Sequence, residues 1–565
     1  MNVCLFLLAL FMCPLVFCAN LYPKVKTSFG LIVGKYSTSY SGRRYAEYLS
    51  VPYAQPPLND LRFKEPQPLK PWLGVWHANF STKCAQLKHD AATGGIFMGQ
   101  EDCLYISIFV PEVQHKKELD VIFNIHGGGF SFGGGNNYAN PVYLMDRDVI
   151  FITVNYRLGV LGFMSTEDEV LPGNNGMKDQ VQAIKWVKDN IRRFGGNPNS
   201  ITLSGLSAGG ASVQFHFLSP LSKGLFKGGI SGSGNVLCPW VMQENPLRRA
   251  RETGAAVGCN QKSTVELIKC MEQRSVAQLV ETSRIHRAWL YNPFTTFGLV
   301  VEKFGNNPFL PEHPYALLRR NAIQDLPWLT STVSHEGLYP VADFLTQDKY
   351  LEELKEKWTK VLPSILHYED TIPRDRLEAV SIKIREFYFK NKPVSREMSQ
   401  ELIKMASDRL FFVDTDKSIR LQARANKSPT YYYYFAYTGE ITHTFTDFWA
   451  PGGVRHGVCH GDDLAFIFPF PTNPYRRIAL GDEHMKVTLL NIWTTFASTG
   501  VPKVDGVEWT PISSNEDDPI NYLHIKSPNE IQMKSVDSIG NRAFWDSLNF
   551  EENERLFVSN RRNEL

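Results

Sequence analysis

The pattern G-x-S-x-G occurs twice, as Gly129-Phe130-Ser131-Phe132-Gly133 and as Gly205-Leu206-Ser207-Ala208-Gly209. A serine can serve as an acyl nucleophile from such a pattern when it sits on a sharp strand-to-helix turn with small neighbours. Ser207 follows the strand-like residues 201–203 and precedes Ala208-Gly209-Gly210-Ala211, which opens a helical pattern. Ser131 lies between two phenylalanines and runs into Gly133-Gly134-Gly135, so it reads as a loop residue. Attack on a carbonyl builds negative charge on its oxygen, and backbone N–H groups must already point there. The loop His126-Gly127-Gly128-Gly129 directly follows a strand-like run and can bring bare amides close to a substrate. With the N–H of Ala208 it forms the expected oxyanion hole.

A base must follow downstream, with an acid between it and the serine. Five histidines lie beyond residue 400: His443, His456, His460, His484 and His524. His484 falls in a helical pattern and His524 in a strand-like run, which suits structural or surface roles. His443 and His456 stay open on spacing alone. His460 sits in the loop Gly457-Val458-Cys459-His460-Gly461-Asp462-Asp463-Leu464, just before an apolar segment. For the acid, Glu336 follows the strand-like residues 327–333 and precedes Gly337, whereas Asp343 lies within a developing helix.

These groups are far apart in the chain, so a large scaffold must converge on them. Short β-branched or apolar runs alternate with glycine-rich turns and helical patterns, as at residues 121–125, 149–154 and 201–203. Near-continuous apolar strands between helices imply an α/β fold with a large, mostly parallel central sheet covered by helices on both faces. Residues 340–425 read mainly as helices and 431–437 as a late buried strand. Neither repeats nor Ser/Gly linkers interrupt the pattern, which predicts one domain over residues 19–565.

The chain has 565 residues, 60 basic against 58 acidic side chains and 43% hydrophobic residues. That balance argues against a disordered chain and against nucleic-acid binding through bulk positive charge. Residues 5–17 form a short apolar run ahead of small Cys18 and Ala19, the pattern of a signal peptide over residues 1–18. No later run is long enough to span a membrane. Beyond residue 18 remain Cys84, Cys103, Cys238, Cys259, Cys270 and Cys459. In an oxidising compartment Cys84 with Cys103, and Cys259 with Cys270, close the shortest loops. No C-x-x-C or H-E-x-x-H occurs, so neither a metal nor a cofactor is expected. Asn79-Phe80-Ser81 is a glycosylation acceptor, and Asn426-Lys427-Ser428, followed by Pro429, a poorer one.

The sequence resembles the type-B carboxylesterases, the cholinesterase-like α/β-hydrolase family, and most of all secreted arthropod carboxylesterases. The resemblance rests on several strings in order: Val51-Pro52-Tyr53-Ala54-Gln55-Pro56-Pro57, Glu101-Asp102-Cys103-Leu104-Tyr105, the 126–130 glycine loop, Val154-Asn155-Tyr156-Arg157-Leu158-Gly159, Phe194-Gly195-Gly196-Asn197-Pro198, residues 205–210, and His460-Gly461-Asp462-Asp463-Leu464. It implies a triad of Ser207, Glu336 and His460, with oxyanion donors at Gly128, Gly129 and Ala208. It implies the disulfides Cys84–Cys103 and Cys259–Cys270, and ion pairs of Arg62 with Glu101 and Arg157 with Asp179. Ser231 matches a serine supporting the acid, and Trp240 an acyl-pocket residue.

Two departures narrow the substrate. Cholinesterases carry glutamate where Leu206 stands, and a tryptophan for the quaternary ammonium within the first disulfide loop; no tryptophan lies between Cys84 and Cys103. Juvenile-hormone esterases usually show glutamine at the position of Leu206. The expected activity is hydrolysis of small-molecule carboxylic esters (xenobiotic, odorant, pheromone or dietary) through an acyl-serine. Alternatives are a juvenile-hormone-type esterase and a non-catalytic adhesion protein, the latter opposed by the complete set of triad residues. Cys238 and Cys459 are left as thiols. Secretion is expected, with retention in the ER lumen through Arg562-Asn563-Glu564-Leu565 as the alternative.

Overall fold

Eleven strands form one sheet: β1 (Lys35–Thr38), β2 (Arg44–Pro52), β3 (Tyr105–Pro111), β4 (Leu119–Ile125), β5 (Val149–Val154), β6 (Gly196–Leu206), β7 (Gly228–Gly232), β8 (Trp328–Val333), β9 (Thr430–Phe435), β10 (Ile520–Ser527) and β11 (Glu530–Val536). They are seen in a computed structural model that describes residues 21–89, 94–114, 117–136, 139–390, 392–439, 456–469 and 478–557. The spatial order is β1-β2-β3-β5-β4-β6-β7-β8-β9-β10-β11. Every pairing from β5 through β10 is parallel, and both ends of the sheet are antiparallel. The leader at residues 1–18, His443 and the last four residues lie outside the described residues.

The central strands are buried on both faces, which is why they read as unbroken apolar runs. In β4 the side chains alternate between two cores. Val121, Phe123 and Ile125 join the core that includes α2 (Ala208–Leu218), and Ile122 joins the core that holds Leu489 and Trp493 of α4 (Leu480–Thr499). Helix α1 (Asn175–Asn190) packs on the first face and carries Asp179, which takes two charge-assisted bonds from the Arg157 side chain at 2.8 and 2.7 Å. Both partners are buried, so the pair is a demanding one: removing one member alone would leave a buried charge, at about 3–5 kcal/mol. Arg62 and Glu101 form a second bidentate pair, both bonds 2.6 Å.

The structure holds the disulfides Cys84–Cys103 and Cys259–Cys270, and leaves Cys238 and Cys459 as buried thiols. Asn79 is exposed, as a glycan acceptor must be. Asn426 corrects the expectation of a second acceptor. It is only 7% exposed and its amide donates to the Leu326 carbonyl at 3.0 Å, so neither space nor a free nitrogen remains for a sugar.

Burial also sets the acid response. His126 and His313 are pushed down to about 4, and His216, His286 and His367 to about 3, in each case mainly by desolvation. His216 is wedged between Ser222 at 2.7 Å and Gln180 at 3.0 Å. An unfolded chain protonates these rings below pH about 6.5 while the folded one does not. Stability is therefore lost as pH falls through that value towards 4, by roughly 1 kcal/mol per ring per pH unit. Thermal unfolding followed by tryptophan fluorescence should show Tm dropping steadily from pH 7 to pH 5; a level Tm over that window contradicts this account.

Candidate active site

Ser207 forms the turn between the end of β6 and the start of α2, with φ 60° and ψ −123°. Only an over-determined surrounding holds a non-glycine residue there. The Ser207 N–H donates to the Gly232 carbonyl at 2.8 Å, which ties the turn to the end of β7. A Cβ on Gly209 would lie 2.0 Å from the Ile125 carbonyl oxygen, so α2 can start this close to β4 only with glycine at that position. The hydroxyl is presented at the carboxyl edge of the parallel strands, near the middle of the sheet.

The glycine loop after β4 packs directly on this turn. A Cβ on Gly127 would stand 3.1 Å from the Ser207 Cβ, and Gly128 and Gly129 adopt φ of 112° and 54°. At Gly128 a Cβ would also strike the Phe132 carbonyl oxygen at 2.0 Å. Ala208 opens α2, and the first N–H groups of a helix have no intrahelical acceptor. Ser131 donates its hydroxyl to the Gly129 carbonyl at 3.0 Å and so braces the loop.

Glu336 lies in the turn between β8 and α3 (Leu338–Thr346) and is fully buried. Its Oε2 receives the His460 Nδ1 at 2.6 Å, while Oε1 accepts from the Ser233 hydroxyl at 2.6 Å and the Val333 N–H at 2.8 Å. The loops carrying the two are stitched together, since the His335 N–H donates to the Val458 carbonyl at 3.0 Å. With Nδ1 engaged by the carboxylate, Nε2 is left as the acceptor. His460 and Ser207 line one cavity of about 60 Å³. Among the described residues no hydrogen bond joins the two side chains, a looseness common before substrate arrives. The walls beside them are apolar: Leu206, Phe132, Leu464 and Phe468, with the Tyr339 ring tilted against His460 at 5.4 Å.

The structure corrects the residue supporting the acid. Ser231 lies inside β7 and donates to the Gly210 carbonyl at 2.8 Å, towards α2. Ser233, past the strand's end with φ 47°, is the one that reaches Glu336. The acid sits beyond the end of β8, so only a residue beyond the end of β7 is level with it. Trp240 does not line the catalytic cavity. It is buried between Phe294 and Phe411, its Nε1 donates to the Leu410 carbonyl at 2.8 Å, and Phe411 stands between it and His460 at 4.8 Å. Asp343 lies on α3, and His456 sits on the adjoining loop, its carbonyl accepting from Gln400 at 3.1 Å.

One further group escaped the sequence. Asp463 is fully buried, accepts from the Tyr433 hydroxyl at 2.9 Å, and is pushed up to about 6 by burial and by the nearby Glu336 charge. Its only signal was its place in the quoted His460-to-Leu464 string.

A family model described as "Carboxylesterase family" matches residues 22–545. The chain is 42% identical to "Venom carboxylesterase-6" of Apis mellifera, covering 94% of this chain and 95% of that protein. It is 38% identical to "Esterase E4" of Myzus persicae, over 95% of this chain and 98% of the relative. Among solved structures it is similar to juvenile hormone esterase from Manduca sexta with OTFP covalently attached, at 27% identity and TM-score 0.81, covering 93% of this chain and 99% of that one.

Proposed function

The chain belongs to the carboxylesterase family, with the α/β-hydrolase fold and the hydrolysis of carboxylic esters that go with it, and from this we propose that it works through an acyl-serine on Ser207. His460 Nε2 takes the Ser207 proton as the oxygen attacks the ester carbonyl. The N–H groups of Gly128, Gly129 and Ala208 receive the developing oxyanion, each contributing on the order of 3 kcal/mol to the barrier. His460 passes the proton to the leaving alcohol, then draws one from water to release the acid, while Glu336 holds the ring and its charge. The observation that carries this reading is the 2.6 Å contact of His460 Nδ1 with Glu336, on a ring sharing a cavity with a strained Ser207.

The apolar cavity walls favour esters with uncharged, apolar groups on both sides of the bond. Leu206 offers no charge to a quaternary ammonium. The continuous sheet from β1 to β11 supports a single domain, and among the described residues no helix is long and apolar enough to cross a membrane. We place the protein in the secretory route on its apolar leader.

The test pairs an organophosphate label with a substrate panel. Peptide mapping should find the label on Ser207, and 4-nitrophenyl acetate to hexanoate should be cleaved while choline esters are not. A label elsewhere rejects the nucleophile; efficient choline-ester cleavage rejects the substrate class. Preference for a juvenile-hormone-like methyl ester over the nitrophenyl series would favour the narrower reading suggested by the Manduca sexta enzyme.

A further inference from the structure

Trp240 helps to line a second cavity, of about 80 Å³, that shares no lining residue with the catalytic one. Both amide atoms of Gln243, the hydroxyls of Thr295 and Thr296, and Nε2 of His367 are buried and have no hydrogen-bond partner. Thr295 and Thr296 are 7% and 2% exposed. A single orphaned polar atom costs about 1–3 kcal/mol, so their convergence on one cavity points to a polar occupant.

The charges around it select the sign of that occupant. Glu244 lines the same cavity, and among the described residues it has neither an ion pair nor a hydrogen bond. Its carboxyl is pushed up to about 7 by burial, then by Glu552, Asp370, Glu167 and Glu551. Arg249, the cation in the wall, is already committed to the Thr296 carbonyl at 2.6 Å and to Asp370 at 3.5 Å. His367 is kept neutral by burial and by Arg409 and Arg249, and so can accept a hydrogen bond. An anion would face unpaired negative charge here. A metal ion is not suited either, since among the described residues no cluster of three or more His, Cys, Asp or Glu could hold one.

We propose that this cavity is a second ligand site, taking a small organic cation with several N–H donors, of the guanidinium type. Glu244 supplies the counter-charge, and Gln243, Thr295, Thr296 and His367 supply neutral acceptors. The site shares no lining residue with the catalytic cavity, although the Thr295 hydroxyl also packs beside Gly129 of the glycine loop, 3.0 Å from where a Cβ there would stand.

Isothermal titration of the full chain with methylguanidinium chloride at pH 8, where Glu244 is ionised, tests this. Wild type should bind saturably at one site, and so should enzyme whose catalytic serine is blocked by an organophosphate. Glu244→Gln should weaken binding at least about tenfold, the effect of removing a hydrogen bond to a charged partner, and Gln243→Leu should weaken it less. Retained ester hydrolysis and Tm in both variants show that they fold. Absence of saturable heat in wild type, equal affinity in Glu244→Gln, or loss of binding in the blocked enzyme would each overturn the proposal.

Discussion

Ser207→Ala is expected to lower kcat for 4-nitrophenyl acetate by about 10⁶-fold, measured with protein freed of contaminating esterase. The β-carbon stays, so the strained turn, the Gly232 anchor and the cavity shape survive. What disappears is the Ser207 hydroxyl oxygen, the atom that would form the acyl bond. The oxyanion donors and His460 remain, which leaves about 10³–10⁴ of rate enhancement over water. His460→Ala should cost about as much, and the double variant hardly more, because the two residues act as a unit. Retention of more than a hundredth of the wild-type rate by Ser207→Ala would reject the acyl-serine route.

Glu336→Gln is expected to lower kcat by about 10⁴-fold, through geometry already fixed by its neighbours. The Oε1 position receives two donors, from Ser233 and Val333, so the amide oxygen of a glutamine must settle there. Its NH₂ then faces His460 Nδ1, which becomes an acceptor, and the ring proton moves to Nε2. A base with its proton on the wrong nitrogen cannot receive one from Ser207. Ser233→Ala removes one of the two donors and should cost far less, on the order of tenfold, with the pH profile of kcat displaced. Ser231→Ala should leave that profile unmoved, since its hydroxyl serves Gly210 and Trp328. A larger loss in Ser231→Ala than in Ser233→Ala would return the supporting role to Ser231.

The contrast between those two serines shows where sequence reasoning runs out. Ser207 was separable from Ser131 because its flanking residues are local: a strand before it, a helix after it, small residues beside it. The placement of Glu336 at a strand's end, and of Asp343 within a helix, was legible for the same reason. Which serine of Ser231-Gly232-Ser233 meets the acid depends on where β7 stops relative to β8, and that register belongs to two segments about a hundred residues apart. Asn426 shows the same limit: a glycosylation triplet is local, but its burial against Leu326 is not. Trp240 is a near neighbour of the site, yet Phe411, supplied from the helical region, stands between it and His460. The antiparallel ends of the sheet were not legible because strand direction depends on pairing between separate segments and not on their local pattern.

The position of β9 has a consequence for biosynthesis. Its Thr-Tyr-Tyr-Tyr-Tyr-Phe backbone finds one partner in β8, made about a hundred residues earlier, but the other edge waits for β10. Roughly 85 residues separate Phe435 from Ile520, so at about 5–20 residues per second a ribosome leaves that tyrosine-rich edge uncapped for about 4–17 s. A bare, aromatic strand edge is a template for pairing with another chain. Yield in a heterologous host should therefore respond to translation speed and chaperone supply over this interval, and premature stops between β9 and β10 should give aggregates rather than soluble fragments.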